Sequence, residues 1–178
     1  MEFLHTSRVD TLRHGLVDIL GHDEAPEVKL QHVKRVCLTI GQPIELPYGV
    51  DIPSARASAM LLAAVHTELP SVNHVTQNVA LSGLGCWELP LRAEYDTKGR
   101  ARYPSVTNKA SGANNELVHR FMLRRMFGVT LERYDFVDHV CRSHACCNPT
   151  HLDIVTPRQN NIRKHLAARA VTGQERLF

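Results

Sequence analysis

The sequence has little that would carry it into or across a membrane. Its opening, Met1-Glu2-Phe3-Leu4-His5-Thr6-Ser7-Arg8, lacks the basic-then-apolar order of a secretory signal. The longest unbroken apolar run, Ala59 to Val65, falls far short of the roughly 20 residues that a spanning helix needs. No membrane partner is expected, and a soluble, cytoplasmic protein is the expectation. No low-complexity tract and no internal repeat are found, which excludes a solenoid or a disordered linker protein. Cysteine is scarce and odd in number, with five in the chain. An odd count without an export signal argues against a disulfide framework.

What is present suits one domain of ordinary size, or a compact catalytic domain with a helical extension. The 178 residues are 43% hydrophobic and 22% charged, enough apolar content for a true core. The net charge of +3 is unevenly spread. Residues 1–75 hold six Lys/Arg against nine Asp/Glu, and residues 76–178 hold fifteen against nine. Any polyanion should therefore be met by the second part.

The texture of the chain changes at the same place. Residues 1–75 read as mostly helical. Val9, Leu12, Leu16, Ile19 and Leu20 recur at helical spacing up to Gly21, and a second helix is expected over about residues 26–40. A third opens at Pro53-Ser54, and the stretch from Gly41 to Gly49 reads as loop. After Val75, Cys86-Trp87-Glu88-Leu89 and Arg102-Tyr103-Pro104-Ser105-Val106 flank Asp96-Thr97-Lys98-Gly99, the pattern of a β-hairpin. An amphipathic helix is expected over residues 114–128, closed by Gly128.

The chemistry is concentrated between Phe136 and Asn161. Cys141, Cys146 and His151 are spaced C-x4-C-x4-H, and thiolates with imidazole are the usual donors of a closed tetrahedral zinc site. A fourth ligand must come from elsewhere. Cys86 is the obvious candidate, with Cys147 and His144 as substitutes. His139 sits at the end of an expected strand, directly before this loop. Leu152 to Val155 reads as a second strand, and Pro157 opens a helix that carries Asn160. Strand, loop, strand and helix make a ββα unit.

These residues resemble the HNH and His-Cys box endonucleases, the ββα-metal or His-Me finger group. The matching run is Val137-Asp138-His139-Val140-Cys141, then Cys146-Cys147-Asn148-Pro149-Thr150-His151-Leu152, then Asn160. Gly85-Cys86-Trp87-Glu88-Leu89-Pro90-Leu91 and Gly99-Arg100-Ala101-Arg102-Tyr103 are similar to the zinc-bearing and arginine-bearing strands of the His-Cys box homing enzymes. The resemblance covers about residues 83–165, and residues 1–75 carry no part of it.

The resemblance implies an α+β fold with a zinc-stapled ββα-metal core over residues 76–178, preceded by a helical region over 1–75. It implies a metal-dependent nuclease acting on DNA, double-stranded by expectation, in a homing or phage setting. His139 would be the general base, and Asn160 would hold a catalytic Mg2+, with Mn2+ as a substitute. Arg102 would neutralise a phosphate oxygen, and Asp138 stands as a second Mg2+ ligand or a structural carboxylate. Cys86, Cys141, Cys146 and His151 would bind structural Zn2+, and Asn148 would brace the loop. Arg92, Lys98, Arg100 and Lys109 would contact the DNA backbone. No cysteine follows Cys147, so the homing enzymes' second zinc site has no counterpart, and a homodimer of another kind stays open. The reading from a different class is a non-catalytic zinc module that binds nucleic acid. Such a module would have no use for His139 and Asn160.

Overall fold

The computed structural model describes residues 3–90, 97–98, 102–107, 115–132 and 134–172. It is α+β, with helices and small antiparallel hairpins. Helices α1 (Phe3–Gly21), α2 (Pro26–Thr39) and α3 (Ala55–Glu68) form the first part. Each begins or ends where local chemistry dictates. Pro26, which lacks an N–H, opens α2 in its first turn. Ser54 caps α3, its hydroxyl accepting from the Ala57 N–H at 3.2 Å.

The stretch 41–49, expected as loop, is partly a hairpin. Strand β1 (Ile44–Leu46) pairs with β2 (Val50–Ile52) in antiparallel register. The reason is legible in hindsight: Ile44-Glu45-Leu46 and Val50-Asp51-Ile52 both alternate apolar and polar residues. Gly49, at φ 75°, supplies the left-handed turn between them.

The expected hairpin between residues 86–89 and 102–106 is not what forms. Strand β4 (Trp87–Glu88) pairs instead with β3 (Ala80–Leu81), and β5 (Ser105–Val106) pairs with β6 (Glu116–Leu117). Both edges of β4 are taken. One faces β3 across the tight turn at Ser82–Gly85. The other accepts the Cys147 N–H at the Trp87 carbonyl and bonds Leu89 N–H to the Ala145 carbonyl. No edge is left for residues 102–106.

Helix α5 (Val118–Phe127) starts later than the expected residue 114, because Glu116 and Leu117 are spent on β6; Asn114 lies outside the described residues. Gly128 ends the helix at φ 77° in the left-handed cap conformation. The last unit runs in the anticipated order. Strand β7 (Phe136–His139) pairs with β8 (Leu152–Val155), and α6 (Pro157–Thr172) follows.

A single cluster of buried residues joins both halves of the chain. It includes Leu16, Leu30, Val33, Leu61 and Val65 from the first part, and Trp87, Met122, Leu123, Cys147 and Leu152 from the second. The change of texture at residue 75 therefore marks no break in the core. The fully buried Trp87 donates its indole N–H to the Ser58 carbonyl at 3.1 Å, locking β4 against α3.

Candidate metal centre and adjoining cleft

Three elements deliver the cysteine and histidine donors. Cys86 precedes β4, Cys141 and Cys146 lie on the loop after β7, and His151 ends the short turn before β8. All four are buried, and one potential ligand atom of each lies within 4.8 Å of every other. A tetrahedron with zinc–sulfur arms of about 2.3 Å has edges of about 3.8 Å, so this spacing admits a metal after small adjustments. Cys146 Sγ lies 3.7 Å from His151 Nδ1.

The donor chemistry points the same way. The Cys86 thiol is held far below its ordinary range, chiefly because the thiols of Cys141 and then Cys146 donate to it, whereas burial pushes the Cys146 thiol well up. Three crowded sulfurs in a buried site are poorly served by protons alone; a dication replaces those protons and neutralises the thiolates. The buried Cys3His cluster could hold a metal such as zinc. Of the two substitutes, Cys147 is buried in the main hydrophobic core and His144 turns to the cleft, so Cys86 completes the set.

Asn148 braces this loop from the middle. Its side-chain oxygen accepts from Thr150 N–H at 3.0 Å and from the Thr150 hydroxyl at 2.8 Å. Its amide donates to the Gly85 carbonyl at 2.9 Å and to the Ser58 hydroxyl at 3.2 Å. All four hydrogen-bonding positions are used in a fully buried residue.

Beside the cluster lies a cleft of about 160 Å3, lined by Tyr103, Phe136, Val137, Asp138, His139, Arg142, His144, Asn160 and Lys164. His139, from β7, and Asn160, from the first turn of α6, thus line one cleft although they stand 21 positions apart in the chain. His139 Nε2 lies 3.1 Å from the Cys146 carbonyl oxygen. Since a carbonyl can only accept, Nε2 carries the hydrogen and Nδ1 keeps its lone pair. Burial lowers the His139 pKa to about 4, against the opposing pull of that carbonyl bond, so the ring is neutral at neutral pH. Asn160 is buried, and its side-chain amide has no hydrogen-bonded partner among the described residues.

Asp138 is buried with both oxygens occupied. One accepts from Arg142 at 2.7 Å and the other faces Arg163 at 3.4 Å. Arg163 reaches on to Asp153 at 2.6 Å, and Asp153 pairs with Lys34 of α2. An ionic chain therefore runs from the first part of the molecule to the cleft wall. Arg142 adopts φ 62°, and its guanidinium sits 5.0 Å over the ring of Tyr48 from the β1–β2 hairpin.

Sequence reasoning missed several residues of this cleft. Tyr103 packs against three imidazoles, with ring centroids 5.3 Å from His119, 5.6 Å from His139 and 5.2 Å from His144. His119 stands 4.7 Å from His139, edge to face, and burial lowers its pKa to about 3. Lys164 lies one helical turn beyond Asn160, a spacing that could have flagged it. Arg102 is exposed beside Tyr103 and does not itself line the cleft. Lys98 lies on an exposed turn, and Arg92, Arg100 and Lys109 lie outside the described residues. No helix among the described residues is long and apolar enough to cross a membrane. No protein-family model, curated protein or solved structure matches this chain.

Proposed function

We propose that this chain is a metal-dependent DNA endonuclease whose residues 136–172 form a ββα-metal core. The observation that carries the reading is the shared cleft: a neutral, buried imidazole and an unpartnered carboxamide converge beside a Cys3His cluster. A module that only bound nucleic acid would need the cluster but not that convergence.

In this reading Cys86, Cys141, Cys146 and His151 would hold structural zinc. The side-chain oxygen of Asn160 would hold Mg2+ or Mn2+, hard cations that oxygen donors suit. The ion, when bound, supplies charge stabilisation at the scissile phosphate and the departing 3′ oxygen. His139 Nδ1 takes a proton from the water whose oxygen attacks phosphorus. The P–O3′ bond breaks and the departing 3′ oxygen takes a proton from solvent, giving a 3′-hydroxyl and a 5′-phosphate. Because His139 is already unprotonated at neutral pH, no titration is needed before it acts. Asp138 orients Arg142 and Arg163 through its two ion pairs; a Mg2+ role for it would require Arg163 to withdraw. Arg102 and Lys98, both exposed, serve as peripheral phosphate contacts.

The test is incubation of the metal-loaded protein with plasmid and genomic DNA plus Mg2+, with mapping of the cut ends. Cleavage leaving 5′-phosphates supports the reading, and discrete sites would favour a homing-type enzyme over a general one. A His139→Ala protein should bind DNA and fail to cut. Wild-type protein that binds DNA yet never cuts it with Mg2+ or Mn2+ would return the chain to the binding-module class.

A further inference from the structure

The cleft lining mixes two chemistries. Lys164 and Asn160 from α6 and Arg142, paired with Asp138, are cationic or polar. Phe136 from β7 and Tyr103 from the segment before β5 are aromatic. Both rings are partly exposed, 40% for Phe136 and 37% for Tyr103. The register of β7 on β8 sets Phe136 opposite Val155, within the cleft lining.

A basic wall that follows the backbone, combined with aromatic faces on which bases stack, is the chemistry that recognises single-stranded nucleic acid. In an intact duplex the base faces are covered by their neighbours, and only edges are offered in the grooves. Rings placed beside the reacting phosphate then have nothing to stack on. From this mixed lining of exposed rings and cationic side chains we propose that the cleft takes an unpaired DNA strand, or a locally unpaired segment of a duplex. The scissile phosphate lies toward Lys164 and Asn160, and a flanking base stacks on Phe136, with Tyr103 closing the aromatic side. This rests on the nuclease reading for the position of the phosphate, and it replaces the intact duplex as the expected substrate.

The experiment uses the full-length zinc-loaded chain with Ca2+ in place of Mg2+, so that binding is read without cutting. Fluorescence anisotropy compares a labelled 20-nucleotide single strand with the same sequence as a duplex. We expect the single strand to bind at least tenfold more tightly. Phe136→Ala should weaken single-strand binding by about 5- to 150-fold, the range that loss of one base–aromatic stack gives, and leave duplex binding unchanged. Phe136→Trp should restore single-strand binding, and retained zinc confirms that each variant is folded. Duplex binding as tight as single-strand binding, or an equal loss on both substrates in Phe136→Ala, overturns the proposal. Cleavage in Mg2+ separates the two readings. Single-strand binding without cutting removes the nuclease assignment and keeps this one, whereas cutting confined to intact duplex removes this one and keeps the nuclease.

Discussion

The ring of His139 is held by the backbone of Cys146, at 3.1 Å between Nε2 and the carbonyl oxygen. The side chain of that same Cys146 belongs to the Cys3His cluster. The position of the proposed base and the occupancy of the metal site are thereby linked through a single residue. A chelator selective for zinc over magnesium should abolish cleavage even with Mg2+ in excess, and added Zn2+ should restore it. The same treatment should release structure around residues 139–151, because the buried donors Cys141, Cys146 and His151 all lie in that loop. Full cleavage by zinc-free protein would disconnect the two functions.

Asn160 presents an unpartnered amide in a cleft whose other charged lining groups are Arg142, Lys164 and the paired Asp138. Such a site repels a free dication until a phosphate arrives. Calorimetry should therefore show negligible Mg2+ binding to the free protein and measurable binding with a non-cleavable oligonucleotide present. Asn160→Ala should lower kcat by about 100-fold or more, as loss of a metal-positioning group does, while DNA affinity in Ca2+ falls little. Asn160→Asp, which keeps an oxygen donor and adds charge, should retain more activity than the alanine variant. Equal activity in Asn160→Ala and wild type would remove this residue from the site.

The buried pair His119 and His139 makes stability depend on pH. Both folded-state values, about 3 and about 4, lie below the ordinary histidine value of about 6.5. The unfolded chain therefore binds more protons as pH falls below about 6.5. The stabilisation is fully present above that pH and is lost progressively toward pH 4, by up to about 1.4 kcal/mol per pH unit for each ring. His119→Phe removes one titrating ring, together with the buried, unpartnered Nδ1 of His119. Its denaturation midpoint should match or exceed wild type at pH 8, and its advantage should widen down to pH 5. Parallel decline of the two proteins would place the acid sensitivity elsewhere, in the cluster thiolates for instance.

The gathering of Cys86, Cys141, Cys146 and His151 into one buried cluster that could hold a metal was the most legible feature of the chain, because cysteine and histidine recur there at short spacings. Helices α1 to α3 were legible too, since their apolar periodicity agrees with the faces they bury. Strand pairing was not. Trp87 and Tyr103 both looked like strand residues, but which strand pairs with which depends on competition for edges. Only the fold shows that β4 is filled on one side by β3 and on the other by residues 145–147. The membership of the cleft was hidden for a similar reason. Tyr103, Arg142 and Lys164 come from three separate segments, each with an ordinary surface appearance in isolation.

A fully buried joint between the first part of the chain and the cysteine–histidine loop is the meeting of Ser58, Gly85 and Asn148. Gly85 sits at φ 76°, and a Cβ there would fall 2.6 Å from Ser58 Oγ and 3.1 Å from Ala55 Cα. Its carbonyl is one of the two acceptors of the Asn148 amide, and Ser58 is the other. Gly85→Ala should cost about 2–4 kcal/mol, from a strained left-handed residue and a clash against α3. Asn148→Ala should cost a similar amount, because the Gly85 carbonyl and the Thr150 N–H lose their partner in a fully buried site. Since both changes break the same joint, the double variant should lose clearly less than the sum, with a coupling of about 1 kcal/mol or more. Denaturant unfolding of the zinc-loaded proteins measures all three values. Strict additivity would mean that the two residues stabilise separate parts of the structure, and that α3 does not position the metal loop through them.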